Sequence, residues 1–224
     1  MNQVNSYLQS SIGRKQIIAV TGFMLIGFLV GHLLGNLTMY LGPDAFNACA
    51  KKLTSLRPGL LVIEFGLLVI FVIHMWYTFT LVAENVKASG SRYEVTQNET
   101  RSFATRIMPF TGLTLFLFVV VHLIDFTFAK KDGAASLING ENYYLFGLVY
   151  NSFKNPFHSL FYIVAMGCLG FHITHGIKSV FQTFGFHSNK YTPMIYKFSM
   201  FAGWGLAFAF AFIPVAVMLD IIKV

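Results

Sequence analysis

Charge is what this chain has least of. Asp, Glu, Lys and Arg make up 11% of its 224 residues, against roughly a quarter in a soluble domain. Cysteine is almost absent. Cys49 and Cys168 stand far apart, the second deep in an apolar run, which excludes a disulfide framework and a thiolate metal cluster. Low polarity excludes disorder, and glycine without a fixed period excludes a collagen-like chain. A net charge of +7 could suit nucleic acid, but no Lys/Arg stripe forms an electrostatic footprint, so the excess positive charge fits anionic lipid instead. Apolar residues fill the space: 55% of the chain is hydrophobic, 25 residues are Phe, and the mean hydropathy is +0.63. The expected solvent is a bilayer.

A helix needs about 20 apolar residues to cross the hydrocarbon. Five runs meet this length: Gln16 to Leu41, Pro58 to Ala83, Ile107 to Ala129, Pro156 to Ile177 and Phe198 to Leu219. The first is too long for a signal-peptide core and is expected to stay as a helix. Pro58 and Pro156 suit a first turn, where a missing N–H costs nothing. Pro109 lies near the start of the third run, and Pro214, well inside the fifth, predicts a kink. The connection 42–57 and the segment from Tyr143 to Phe153 each predict a short helix on the outer surface. The expected fold is all-α: one integral membrane domain over 1–224, a bundle of five transmembrane helices. With the N-terminus inside, nine of the 16 basic residues fall on the cytoplasmic side, so a cytoplasmic N-terminus is expected.

Four histidines, His32, His74, His122 and His172, fall in separate spans. An imidazole in hydrocarbon has to face the bundle interior and find a partner, and an interhelical hydrogen bond is the ordinary use of one alone. These four share a depth, each 15 or 16 residues after its run begins. Because successive helices alternate in direction, His32 and His122 fall at one level and His74 and His172 at another. Two imidazoles from facing helices are the arrangement that holds a haem iron from both axial sides, so two levels predict two haems. Zinc or non-haem iron would want three or four ligands at one depth. Gly31 and Gly35 beside His32, and Gly167 and Gly170 before His172, leave room for a flat macrocycle. His175, three residues after His172, lies on nearly the same helix face, and either could reach a haem. His158 and His187 are expected at helix ends or in loops.

Motifs spread over nearly the whole chain carry a resemblance. They are Ser11-Ile-Gly-Arg-Lys15, Thr21-Gly22, Gly31-His-Leu-Leu-Gly-Asn-Leu37, Gly42-Pro-Asp-Ala-Phe-Asn47, Glu64 ten residues before His74, Ala83-Glu-Asn85, Phe171-His-Ile-Thr-His-Gly176, Phe181-Gln-Thr-Phe-Gly185 and Lys190-Tyr-Thr-Pro193. Together they resemble the di-haem cytochrome b membrane anchor of succinate dehydrogenase and fumarate reductase. The resemblance implies two b-type haems, a distal one on His32 and His122 and a proximal one on His74 and His172. It places the helix-four ligand 13 residues before a closing glycine, which from Gly185 favours His172 and leaves His175 near the haem. It further implies menaquinone or another quinone as substrate, and a covalent-FAD flavoprotein and an iron-sulfur protein as partners. The setting would be the bacterial cytoplasmic membrane, within the respiratory chain and tricarboxylic acid cycle. The partners would dock on the N-terminal arm, the connection from Glu84 to Arg106 and the loop from His187 to Pro193. Where some members carry a glutamate two residues before the proximal ligand, implicated in proton transfer, this chain has Gly170.

Proton-coupled quinone chemistry needs a titratable group near the haem edge. Glu64 and Asp125 are the acidic residues inside the runs, and such groups are functional candidates by default. Asp125 follows His122 by one helical turn, and Glu64 lies about 15 Å outward of His74, so both reach the distal level. Glu64 is the first candidate for quinone-site proton transfer, with Asp125 and His158 as helpers. A buried carboxylic acid bonded to a neighbour or to a haem propionate is the plainer use of either. Two other functions share parts of this pattern: a haem-b subunit of another quinone-linked enzyme, and a haem-free transporter whose histidines relay protons.

Overall fold

The computed structural model describes residues 7–8, 10–88, 103–186 and 188–224. His187, Arg92, Arg101 and most of the polar connection between Glu84 and Arg106 lie outside them, so the expected docking surface is described only in part. Seven helices are described: α1 Ser11–Leu37, α2 Pro43–Thr54, α3 Gly59–Ala88, α4 Phe103–His122, α5 Tyr144–Lys154, α6 Pro156–Thr183 and α7 Thr192–Met218. A two-stranded antiparallel ribbon, β1 Leu137–Ile138 and β2 Glu141–Asn142, precedes α5. Among the described residues, α1, α3, α4, α6 and α7 are long and apolar enough to cross a bilayer. The chain therefore has the make-up of a multi-pass membrane bundle.

Helix ends follow hydrogen-bond supply rather than the limit of the apolar run. α1 begins at Ser11, five residues ahead of the expected Gln16, and Ser10 caps it, its hydroxyl accepting from the Gly13 N–H at 3.1 Å. Asn155 caps α6 by accepting from Phe157 and His158 N–H groups at 3.0 and 3.3 Å, with Pro156 in the first turn. That helix continues past Ile177 to Gly185, whose φ of +82° ends it. The Phe186 N–H reaches the Phe181 carbonyl and the Gly185 N–H that of Gln182, while the rings of Phe181 and Phe186 meet at 6.1 Å. This is a Schellman closure with its hydrophobic contact. α7 starts at Thr192, ahead of the expected Phe198, and continues through Pro214. Pro58 sits in the turn before α3 rather than in its first turn.

α6 is the hub. It buries Ser159, Tyr162, Ala165, Met166, Leu169, Gly170, Ile173 and Ile177, while α3 buries no residue at all within its span. The most extensive helix contact joins α6 to α7, with α4 against α6 and α1 against α3 next. Gly203 explains how closely α6 and α7 approach. A Cβ there would stand 2.8 Å from the Thr174 nitrogen and 3.0 Å from the Gly170 carbonyl oxygen.

The two faces of the bundle are tied differently. Where α1 begins and α3 ends, Arg14 pairs with Glu84. On the opposite face α2 and α5 form a cap. Asn47 donates to the Tyr143 carbonyl at 3.0 Å and accepts from the Phe146 N–H at 3.1 Å, and the Phe46 and Phe146 rings meet edge to face at 6.2 Å. Both expected short helices therefore exist, but they are not merely laid on a surface. Phe46, Phe146, Val149 and Phe153 are buried with Met39, Ile213, Ala216 and Val217 in one apolar cluster.

Candidate functional site

Four helices carry one imidazole each into the bundle: His32 on α1, His74 on α3, His122 on α4 and His172 on α6. All four are partly buried. Near the capped face, the His32 and His122 rings lie 5.7 Å apart at right angles. Phe28 stacks on His32 at 5.3 Å and Phe118 on His122 at 5.7 Å, each one turn before the histidine it covers. Phe210 of α7 closes the side at 5.9 Å from His32. The buried Nδ1 of His122 has no hydrogen-bond partner among the described residues, a cost of about 1–3 kcal/mol if nothing binds there.

The other two imidazoles, His74 and His172, lie further from the capped face. His74 Nδ1 is 3.0 Å from the hydroxyl of Thr21 on α1. His172 Nδ1 is 3.3 Å from the hydroxyl of Thr111 on α4. Glycine follows each threonine, and a Cβ on Gly22 or Gly112 would stand 3.1 or 3.4 Å from the Cε1 of the same histidine. His175 follows His172 by three residues on α6 and is partly buried. Among the described residues, no three His, Cys, Asp or Glu side chains converge on one point, and the two cysteines are free.

The geometry of a two-imidazole iron site can be tested against these positions. Two metal–nitrogen bonds of about 2 Å place facing ring centres about 6 Å apart, and His32 and His122 stand at 5.7 Å. Gly31, Gly35 and Gly167 face open space, as a flat macrocycle requires. Gly170 does not. A Cβ there would meet the Trp204 ring at 2.9 Å, so this glycine serves the α6–α7 contact, and a longer side chain at 170 would have to displace the indole.

The two acidic candidates separate. Glu64 is half exposed on α3 and pairs with Arg57 at 3.5 Å. Asp125 lies in a π-helical turn, Leu123–Thr127, that continues α4, and such turns commonly re-aim functional side chains. Its Oδ2 accepts a 2.7 Å hydrogen bond from Tyr162 and lies 3.4 Å from His158 Nε2. The Tyr162 ring is 4.8 Å from His158 and 6.1 Å from His122. His158 also lines an open concavity of about 450 Å³ with Asn151 and Asn155. Asp125, Tyr162 and His158 therefore form one polar group between the capped face and the upper imidazole pair, whereas Glu64 stands apart with its arginine.

Sequence reasoning missed three residues here: Thr21 and Thr111 as partners of histidines, and Tyr162 as partner of Asp125. The threonines had a readable signal, the same Thr-Gly pair eleven residues before His32 and before His122. Tyr162 had none, since its link to Asp125 crosses between helices. No family model matches the chain, and neither a curated protein nor a solved structure shows significant similarity to it.

Proposed function

We propose that this chain is the di-haem cytochrome b membrane subunit of a succinate:quinone oxidoreductase. It would anchor a flavoprotein and an iron-sulfur subunit and pass electrons between them and a quinone, menaquinone by resemblance. Its place would be the bacterial cytoplasmic membrane, with the N-terminus in the cytoplasm. The observation that supports this reading best is the His32 and His122 rings of α1 and α4 standing 5.7 Å apart, with His74 of α3 and His172 of α6 each held by a threonine hydroxyl.

Haem iron held by two neutral imidazoles supplies one-electron transfer without an open coordination position. His32 and His122 would hold one haem, and His74 and His172 the other, with His175 beside it. The chain's further task is to handle protons. Asp125 Oδ2, with Tyr162 and His158 as its neighbours, is the best supported place to hold a proton beside a quinone at the capped face. Glu64, through Arg57, is the alternative. The rings of Phe28, Phe118, Phe126 and Phe210 surround the upper imidazoles.

The test is optical. Purified chain reduced with dithionite is expected to show b-type bands at about two haems per chain, and flavin and iron-sulfur partners are expected to copurify. His32→Ala and His122→Ala should remove the same haem, and His74→Ala and His172→Ala the other. A colourless preparation from haem-replete cells points to the transporter reading, and removal of one common haem by His122→Ala and His74→Ala refutes the pairing.

A further inference from the structure

Two stretches of the chain repeat one pattern. Residues 21–32 read Thr-Gly-Phe-Met-Leu-Ile-Gly-Phe-Leu-Val-Gly-His, and residues 111–122 read Thr-Gly-Leu-Thr-Leu-Phe-Leu-Phe-Val-Val-Val-His. In both, glycine follows threonine, phenylalanine comes seven residues after the threonine and histidine eleven after it. Eleven residues are close to three full turns, about 16 Å of helix, so threonine and histidine lie on the same face at two depths. The contacts repeat as well. The phenylalanine stacks on the histidine of its own helix. The threonine meets a histidine of the neighbouring helix, Thr21 with His74 and Thr111 with His172. The glycine leaves space for that same ring.

The hydroxyl proton of each threonine is already committed. Thr21 donates to the Ile17 carbonyl at 2.7 Å, and Thr111 donates to the Met108 carbonyl at 3.0 Å. A hydroxyl has one proton to give, so towards the imidazole each Oγ1 is an acceptor. The donor is then Nδ1–H of the histidine. That fixes the tautomer of both rings and leaves the lone pair of each on Nε2, the nitrogen pointing away from the threonine. His122 of the upper pair is different, for its Nδ1 has no such partner among the described residues.

We propose that Thr21 and Thr111 are positioning residues for the deeper haem, each accepting from the Nδ1–H of one axial histidine and so presenting Nε2 to the iron. This rests on the di-haem reading. An acceptor at Nδ1–H makes the imidazole a stronger donor to the metal, which favours the ferric state and lowers the reduction potential. The two haems of one chain are thereby set apart by two hydroxyl groups.

The experiment is a spectroelectrochemical titration of the purified complex with Thr21→Val, Thr111→Val and the Ser variant at each position. Each Val variant is expected to raise the midpoint potential of one haem, the same haem in both cases and the one lost in His74→Ala. The other haem should keep its potential, and each Ser variant should restore the wild-type value. If either Val variant fails to accumulate, its counterpart reads the same haem. Loss of the deeper haem alone in a Val variant also supports the assignment. Two intact haems with unmoved potentials in the Val variants, or equal shifts in both haems, overturn it. A wild-type chain without haem overturns the di-haem reading itself, which is a separate outcome.

Discussion

Asp220 follows the last turn of α7 in a left-handed conformation, φ +55°, and its carboxylate accepts from Lys154 and, at 3.4 Å, from the Tyr150 hydroxyl. The lysine holds the Asp220 carboxyl below its usual 3.8, and the aspartate in turn raises the Lys154 ammonium. With the folded carboxyl pKa below the unfolded one, the tie is complete above the ordinary carboxylate value and is lost as pH falls through the lowered one. Amide protection of residues 219–224, measured against the intrinsic exchange rate at each pH, is expected to be constant through neutral pH and to fall only in acid below about 4. Asp220→Asn should exchange fast throughout, and high salt should weaken the tie because the pair is exposed. None of this was legible in the sequence, where Asp220 and Lys154 are 66 residues apart. The same limit applies at Glu64 and Asp125. Composition marks both as carboxylates among apolar residues, but only the packing of α4 against α6 shows that Asp125 meets a tyrosine, and only the turn before α3 shows that Glu64 meets Arg57.

Elements were more legible than their contacts. Apolar length alone located all five long helices, and Pro156 and Gly185 are boundary signals that the structure uses as written. Starts such as Ser11 and Thr192 were set late by the apolar criterion, because a helix continues while its N–H and carbonyl groups find partners. What the pattern leaves open is which helix becomes the hub. Mean hydropathy marks α6 as the least apolar of the five long helices, with α3 well above it, but the small residues that admit a neighbour decide the matter. Gly203 and Gly170 let α7 lie against α6 at backbone distance, and small-residue contacts of this kind drive helix association where no hydrophobic force exists between helices. Gly203→Leu should therefore push α7 away from Thr174. The expected loss is about 1–3 kcal/mol of stability, read as a lowered thermal midpoint in detergent, while Gly205→Leu, facing open space, should change it little.

At the scale of the whole molecule, packing is uneven. The capped face is a closed apolar core with α2 and α5 locked over it, whereas α3 crosses the membrane without one buried residue. It is joined to the rest through the Thr21–His74 and Arg14–Glu84 contacts and a stack of Phe71 on Phe116 at 6.2 Å. A chain built this way has its weakest cohesion along α3. Resistance to heat then becomes a readout of occupancy: whatever fills the interior adds its own binding free energy to the fold, about 1.4 kcal/mol for each tenfold excess of haem over its dissociation constant. If the chain holds haem as proposed, stepwise addition of haemin to depleted protein should raise the unfolding temperature in proportion to the logarithm of its concentration, and a midpoint indifferent to haemin would count against that reading.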